Sequence, residues 1–210
     1  MTIRILVVDD QENVRIGFRL VLDSQPDMTV VGEAASGTAG LELARHLRPD
    51  VVLADIRMPG IDGLELTRRL VGTGPRVIVV TTFDLDDYVT TALRDGASGF
   101  LLKRSGPALL IEAVRSAIAG DTLISPQLTV RLLRRLSTAP PAPADADALT
   151  VREREVARSV ARGSTNAEIA AELAISAGTV KTHIANIQAK LGARNRVGIA
   201  AWAWSTGQAV

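Results

Sequence analysis

VVLADIRMPG, residues 51 to 60, sets four apolar or small residues in front of an aspartate, Asp55, and then stops at Met58, Pro59 and Gly60. A carboxylate at the edge of a core is costly unless it is paired or holds a cation, so Asp55 implies other polar groups nearby. The flanking sequence says where they come from. IRILVV (3–8), MTVVGEA (28–34), RVIVV (76–80) and GFLL (99–102) are further apolar runs, separated by segments of helix length. Near-continuous Val, Ile and Leu marks strands buried on both faces, and the alternation predicts an α/β domain of five parallel strands joined by right-handed crossovers.

Parallel strands all finish on one edge, and in open α/β sheets that is the ligand-binding edge. Asp9 and Asp10 follow the first run, Asp55 the third, Thr81 the fourth and Lys103 the fifth. Three converging carboxylates repel one another, and their all-oxygen character calls for a hard divalent cation, Mg²⁺ rather than zinc. A carboxylate beside Mg²⁺ and a lysine is equipped to attack a phosphoryl group, with a threonine hydroxyl adding a hydrogen bond. The expected product is an acyl phosphate on Asp55.

The whole chain has 210 residues, room for one medium domain and one small one. It contains no cysteine, which excludes disulfides, thiolate metal sites and cysteine nucleophiles and suits a reducing cytosol. No apolar run approaches the roughly 20 residues of a membrane span, and the start shows no signal peptide, so a cytoplasmic location without membrane contact is expected. Residues 1–120 carry 13 Lys and Arg against 16 Asp and Glu, whereas 149–210 carry 8 against 4. That split points to different partners for the two ends, with nucleic acid at the basic one. Between them, SPQLTVRLLRRL (125–136) reads as a basic amphipathic helix and STAPPAPADADA (137–148) as an extended linker. The expected division is 1–120, a connecting segment over 121–148, and 149–210.

DD at 9 and 10, DIRMPGIDG from 55, VVTTFD around Thr81 and GASGFLLK ending at Lys103 resemble the receiver domain of bacterial two-component response regulators. The resemblance implies a flavodoxin-like strand order 2-1-3-4-5 with Asp55 as phosphoacceptor. It also implies Mg²⁺ held by Asp9, Asp10, Asp55 and the backbone carbonyl of Arg57, Lys103 paired with the phosphoryl group, and a switch formed by Thr81 and Phe100. Arg104 departs from the proline or acid that relatives carry after the lysine. Taken singly these residues have plainer readings: Asp9 or Asp10 as a helix cap, Phe100 as core, Thr81 as a strand residue.

Residues 149–210 read as four helices. Thr150 with Glu153 and Thr165 with Glu168 form capping boxes, Ser176 caps a third helix, and Gly163 and Gly192 are terminators. In the third helix Val180, Ile184, Ile187 and Leu191 define a buried face, with Thr182, Ala185, Asn186 and Ala189 opposite and Lys181 and Gln188 on one flank. A helix with a small, polar outer face suits a major groove. NAEIAAELAIS and TVKTH within this segment resemble the LuxR-type helix-turn-helix, and with the receiver in front the chain resembles NarL/FixJ-type response regulators. The resemblance implies a helix-turn-helix over 166–185, with Lys181, Thr182 and Ala185 toward bases and His183 and Asn186 near the backbone. Val151 stands where relatives have proline, and helix-helix packing is an equal reading of His183. Trp202 and Trp204 cannot share a helix face, so one is expected in the core.

The resulting expectation is a transcription regulator that takes a phosphoryl group from a sensor histidine kinase and binds double-stranded promoter DNA, as a homodimer on phosphorylation. It is no enzyme beyond its own phosphoryl transfer and dephosphorylation. Rival readings are a constitutive DNA binder with a structural receiver, and a Mg²⁺-dependent small-molecule phosphatase. The latter would want a second aspartate two residues after Asp55, where Arg57 stands. The linker further suggests independently tethered readers, so that pairing of receivers would strengthen DNA binding by avidity.

Overall fold

The structure, a computed structural model, describes residues 2–82, 86–124 and 149–209. The expected basic helix over 125–136 and the linker over 137–148 lie outside the described residues. The front domain runs β1 (Ile3–Val8), α1 (Glu12–Asp23), β2 (Met28–Ala34), α2 (Gly37–Leu47), β3 (Val51–Ala54), α3 (Gly63–Leu70), β4 (Arg76–Thr81), α4 (Asp86–Arg94), β5 (Gly99–Leu102) and α5 (Pro107–Ala119). The sheet is parallel in the order β2-β1-β3-β4-β5, and a sixth strand, β6 (Leu123–Ile124), extends it beside β5. Two residues are too few to show periodicity, so β6 could not be read as a strand from sequence.

Successive residues of β1 point to opposite faces, and both faces are covered. Ile5 and Val7 pack with Leu22 of α1 and Leu110, Ala113 and Val114 of α5, while Leu6 and Val8 pack with Leu41 and Ala44 of α2 and Leu66 of α3. That double burial is why the run reads as continuous hydrophobe. Register then sets the functional edge. Val8 lies opposite Ala54 and Ala54 opposite Val79, so Asp9 and Asp55 emerge side by side, and Thr81 opposite Leu102 places Lys103 one residue beyond.

The back domain has four helices: α6 (Val151–Ala161), α7 (Asn166–Glu172), α8 (Ala177–Leu191) and α9 (Arg196–Ser205). Both capping boxes form, Ser176 accepts from the backbone of Thr179, and Gly192 closes α8 with left-handed backbone at φ 63°. Ala174 takes φ 52° in the turn between α7 and α8. Val180, Ile184 and Ile187 enter a core with Val156, Ile169, Ile199 and Trp202. Trp204 is 64% exposed, its indole nitrogen donating to the carbonyl of Ala161. Among the described residues no helix is long and apolar enough to cross a membrane.

One ion pair ties the start of α6 to the end of α8. Lys190 Nζ lies 2.7 Å from Glu153 Oε2, which also accepts from the backbone and hydroxyl of Thr150. The lysine and these hydrogen bonds hold the Glu153 carboxyl at about 2, below its ordinary 4.5. A depressed carboxyl stabilises the fold fully above its unfolded value and loses that contribution as pH falls toward the folded one. Melting of this domain should therefore become acid-sensitive between about pH 4.5 and 2, and Glu153→Gln should flatten the profile there while lowering stability at neutral pH. An unchanged melting profile in Glu153→Gln would contradict the assignment.

Candidate functional site

Asp9 and Asp55 are buried at the carboxyl edge of the sheet, and Asp10 beside them is exposed. One carboxylate oxygen from each of the three lies within 4.8 Å of the others. Lys103 reaches across from the end of β5, with Nζ 2.7 Å from Asp9 Oδ2 and 2.9 Å from Asp55 Oδ2, and its side chain is only 8% exposed. Burial pulls the Lys103 ammonium down, but the hydrogen bonds and charges of Asp9 and Asp55 outweigh it and hold the group above its ordinary value. Burial also pushes the Asp9 carboxyl up, against the lowering effect of Lys103 and of the Gln11 amide.

Backbone contacts fix these groups. Asp55 N–H donates to Val8 O at 2.9 Å, Asp55 Oδ1 accepts from Ile56 N–H at 2.7 Å, and Asp9 Oδ1 accepts from Gln11 N–H at 3.0 Å. The N-cap of α1 is Gln11, so neither Asp9 nor Asp10 occupies the capping position. Gly63, at the start of α3, lies against the Asp55 carbonyl, where an added Cβ would come within 2.0 Å of that oxygen. Only glycine lets α3 begin so close behind the acidic residue. Thr81 is fully buried at the end of β4, its carbonyl accepting from Lys103 N–H at 2.9 Å. Phe100 is fully buried among Val89, Ala92, Leu93 and Ala97 at α4, and Arg57 is exposed.

On α8, Lys181, Thr182, Ala185 and Asn186 are exposed and His183 is half-buried, so a common outer face exists. That face is not turned wholly to solvent. Lys181 Nζ donates to Ile118 O at 3.1 Å and Asn166 Nδ2 to Ala119 O at 2.8 Å, both at the carboxyl end of α5. Gly120, in left-handed backbone at φ 89°, lies beneath these two side chains, a close approach that a Cβ would crowd. Farther along, Asn195 Nδ2 donates to Leu93 O at 2.6 Å and Ala97 O at 3.0 Å, and Val197 packs against the α4 cluster. Arg196 pairs with Asp121, and burial pulls its guanidinium below its ordinary value against the attraction of that carboxylate. The back domain is docked on α4 and α5, where linker composition had suggested free tethering.

Residues 5–115 match the family of response regulator receiver domains and residues 147–203 the luxR family of bacterial regulatory proteins. The chain is a response regulator of the NarL/FixJ type. This regulator is 40% identical to the transcriptional regulatory protein LiaR of Bacillus subtilis, over 96% of each chain. It is 38% identical to the nitrate/nitrite response regulator NarL of Escherichia coli K12, over 94% of this chain and 93% of that one. Among solved structures it is similar to the response regulator ChrA of a heme-sensing two-component system, at 38% identity and a TM-score of 0.55 over 99% and 98% of the two chains. RcsB of Salmonella enterica serovar Typhimurium, solved on promoter DNA with a phosphomimetic, gives 26% identity and a TM-score of 0.60 over 98% and 100%.

The regulator's edge thus brings Asp9, Asp10, Asp55, Thr81 and Lys103 together as the parallel sheet required. The roles of Asp121, Asn166, Asn195 and Arg196 in docking escaped the sequence reading. Asn195 had one legible trace: its Oδ1 caps α9 by accepting from Gly198 N–H at 3.1 Å. Nothing local announces that the other end of the same amide holds α4.

Proposed function

We propose that Asp55 accepts a phosphoryl group from a sensor histidine kinase and that the modified receiver releases the back domain to bind promoter DNA. The observation that carries the first half is Asp55 Oδ2 at 2.9 Å from the Lys103 ammonium, beside Asp9 and Asp10. The all-oxygen cluster fits a hard cation held by Asp9, Asp10, Asp55 and the Arg57 carbonyl. Mg²⁺ at that position supplies neutralisation of the negative phosphoryl oxygens. The Asp55 carboxylate attacks phosphorus as the P–N bond to the kinase phosphohistidine breaks; the bonding pair leaves with the ring nitrogen, and because the other ring nitrogen carries a proton the products are an aspartyl phosphate and a neutral imidazole. Lys103, kept cationic by its acidic neighbours, then pairs with a phosphoryl oxygen.

Thr81 and Phe100 form the switch in this reading, and the path outward is short. Phe100 packs on Leu93 and Ala97, whose carbonyls hold Asn195 of the back domain. Movement of Thr81 toward the phosphoryl group and of Phe100 after it disturbs the α4 end to which the reader is fastened, biasing a two-state equilibrium between docked and released forms. Lys181, Thr182 and Ala185 of α8 then face bases, with His183 and Asn186 near the backbone. Released readers act as a homodimer on a two-fold operator, in the cytoplasm, and the receiver catalyses nothing beyond its own phosphoryl chemistry.

Lys181→Ala separates reading from phosphorylation. In the phosphorylated protein it should weaken DNA binding and reduce the log-log salt slope by about one unit, the value of one phosphate contact. Labelling of the receiver should be unaltered. DNA affinity that does not change in the phosphorylated variant would show that α8 is not the reading helix.

A further inference from the structure

A largely buried arginine at the start of α9 is met by a carboxylate just past α5. The Arg196 side chain is 10% exposed and Asp121, just past α5, 17% exposed. Arg196 also donates to the Asn166 amide oxygen at 3.3 Å and to the carbonyl of Ser164. Asp121 Oδ1 accepts both from Arg196 and from the backbone N–H of Asn166, at 3.2 Å. Beside it, the α5 carbonyls of Ile118 and Ala119 accept from Lys181 and Asn166. The end of a helix carries the negative pole of its dipole, so Asp121 and the end of α5 form one anionic surface against α7, α8 and the start of α9.

That surface meets donors placed for another anion. In a helix-turn-helix the second helix enters the groove while the first crosses the sugar-phosphate backbone. Arg196 is hydrogen-bonded to Asn166, the first residue of α7, and so stands at backbone level when Lys181 stands at the groove. Guanidinium is the side chain suited to a two-pronged contact with carboxylate or phosphate alike. We infer that Arg196, positioned by Asn166 and Ser164, is a contact for a nucleic-acid backbone phosphate, and that Asp121 fills this position in the docked form. DNA and the receiver then compete for the same cation, so undocking supplies the phosphate contact and the exposed reading helix together. The inference rests on the DNA-binding role of the back domain and adds to it a residue outside the helix-turn-helix.

Binding of the full-length, unphosphorylated protein to a short mixed-sequence duplex, titrated with salt, tests it. Asp121→Ala should bind about tenfold more tightly than the unaltered chain as the docked population falls. Adding Arg196→Gln to that variant should lower affinity again and reduce the salt slope by about one unit. Arg196→Lys in the same background should keep the slope and lose affinity, since lysine retains the charge without the fork. Circular dichroism checks folding, and if Arg196→Gln unfolds, the lysine variant carries the comparison: affinity equal to that of Asp121→Ala overturns the contact. An unchanged slope in a folded Arg196→Gln variant does the same. Failure of Asp121→Ala to gain affinity refutes the competition, and failure of Asp121→Ala to bind any duplex removes the DNA-reading role as well.

Discussion

Incubation with a small acyl phosphate and Mg²⁺ should add one phosphoryl group to the unaltered chain and none to Asp55→Asn. The expected loss is complete because the neighbouring acids are not equivalent. Asp9 has one carboxylate oxygen on the Gln11 amide and the other 2.7 Å from Lys103, and burial holds its carboxyl above the ordinary value. Asp10 is exposed at the rim. Asp55 alone follows the central β3, with one oxygen fixed by the Ile56 amide and the other 2.9 Å from the lysine ammonium. Intact-mass measurement reads the result directly, and chelation of the metal should abolish labelling of the unaltered chain. Full labelling of Asp55→Asn would refute the assignment and move the acceptor to another carboxylate.

Asn195→Asp should raise the DNA affinity of the unphosphorylated protein by about ten- to a hundredfold, the equivalent of about 1–3 kcal/mol withdrawn from docking. The substitution is chosen for what it keeps. An aspartate still caps α9, since it can accept from Gly198 N–H as the present amide oxygen does. What disappears is the Nδ2 donor shared by Leu93 O and Ala97 O, and a carboxylate facing two carbonyls is repelled. Leu93 O retains the Gly96 N–H, so the Ala97 carbonyl bears most of the loss. Small-angle scattering should show the unphosphorylated variant expanding, and phosphorylation should add little further affinity. A variant as compact as the parent, with unchanged affinity, would mean that the amide contributes nothing to docking.

The sheet and its acidic edge were legible because their causes are local or periodic. Strands covered on both faces have no polar side, so β1, β3 and β4 stand out as uninterrupted hydrophobic runs, and a parallel arrangement sends every strand end to one edge. Asp9, Asp55, Thr81 and Lys103 could therefore be placed together although up to 94 residues separate them. The reader's helices were legible for a similar reason. The bonds of Thr150 with Glu153, Thr165 with Glu168 and Ser176 with Thr179 each span three residues, a spacing written in the chain itself.

Docking was decided by the tertiary structure alone. Asn195 and Leu93 are 102 positions apart and Arg196 and Asp121 75 apart, in different domains and with no shared periodicity. The Pro- and Ala-rich composition of 137–148 describes the stiffness of a connection, and carries no information about whether the surfaces it joins are complementary. That complementarity depends on the bare carbonyls at the end of α5, on the room left by Gly120 and on the direction of an amide already used as a helix cap. The residues alone determined that three carboxylates and a lysine meet at one sheet edge and that α8 carries a small, polar outer face, because strand polarity and helical spacing follow from local chemistry. How the first is joined to the second was settled only by folding, because hydrogen bonds between domains depend on orientations that no local pattern encodes.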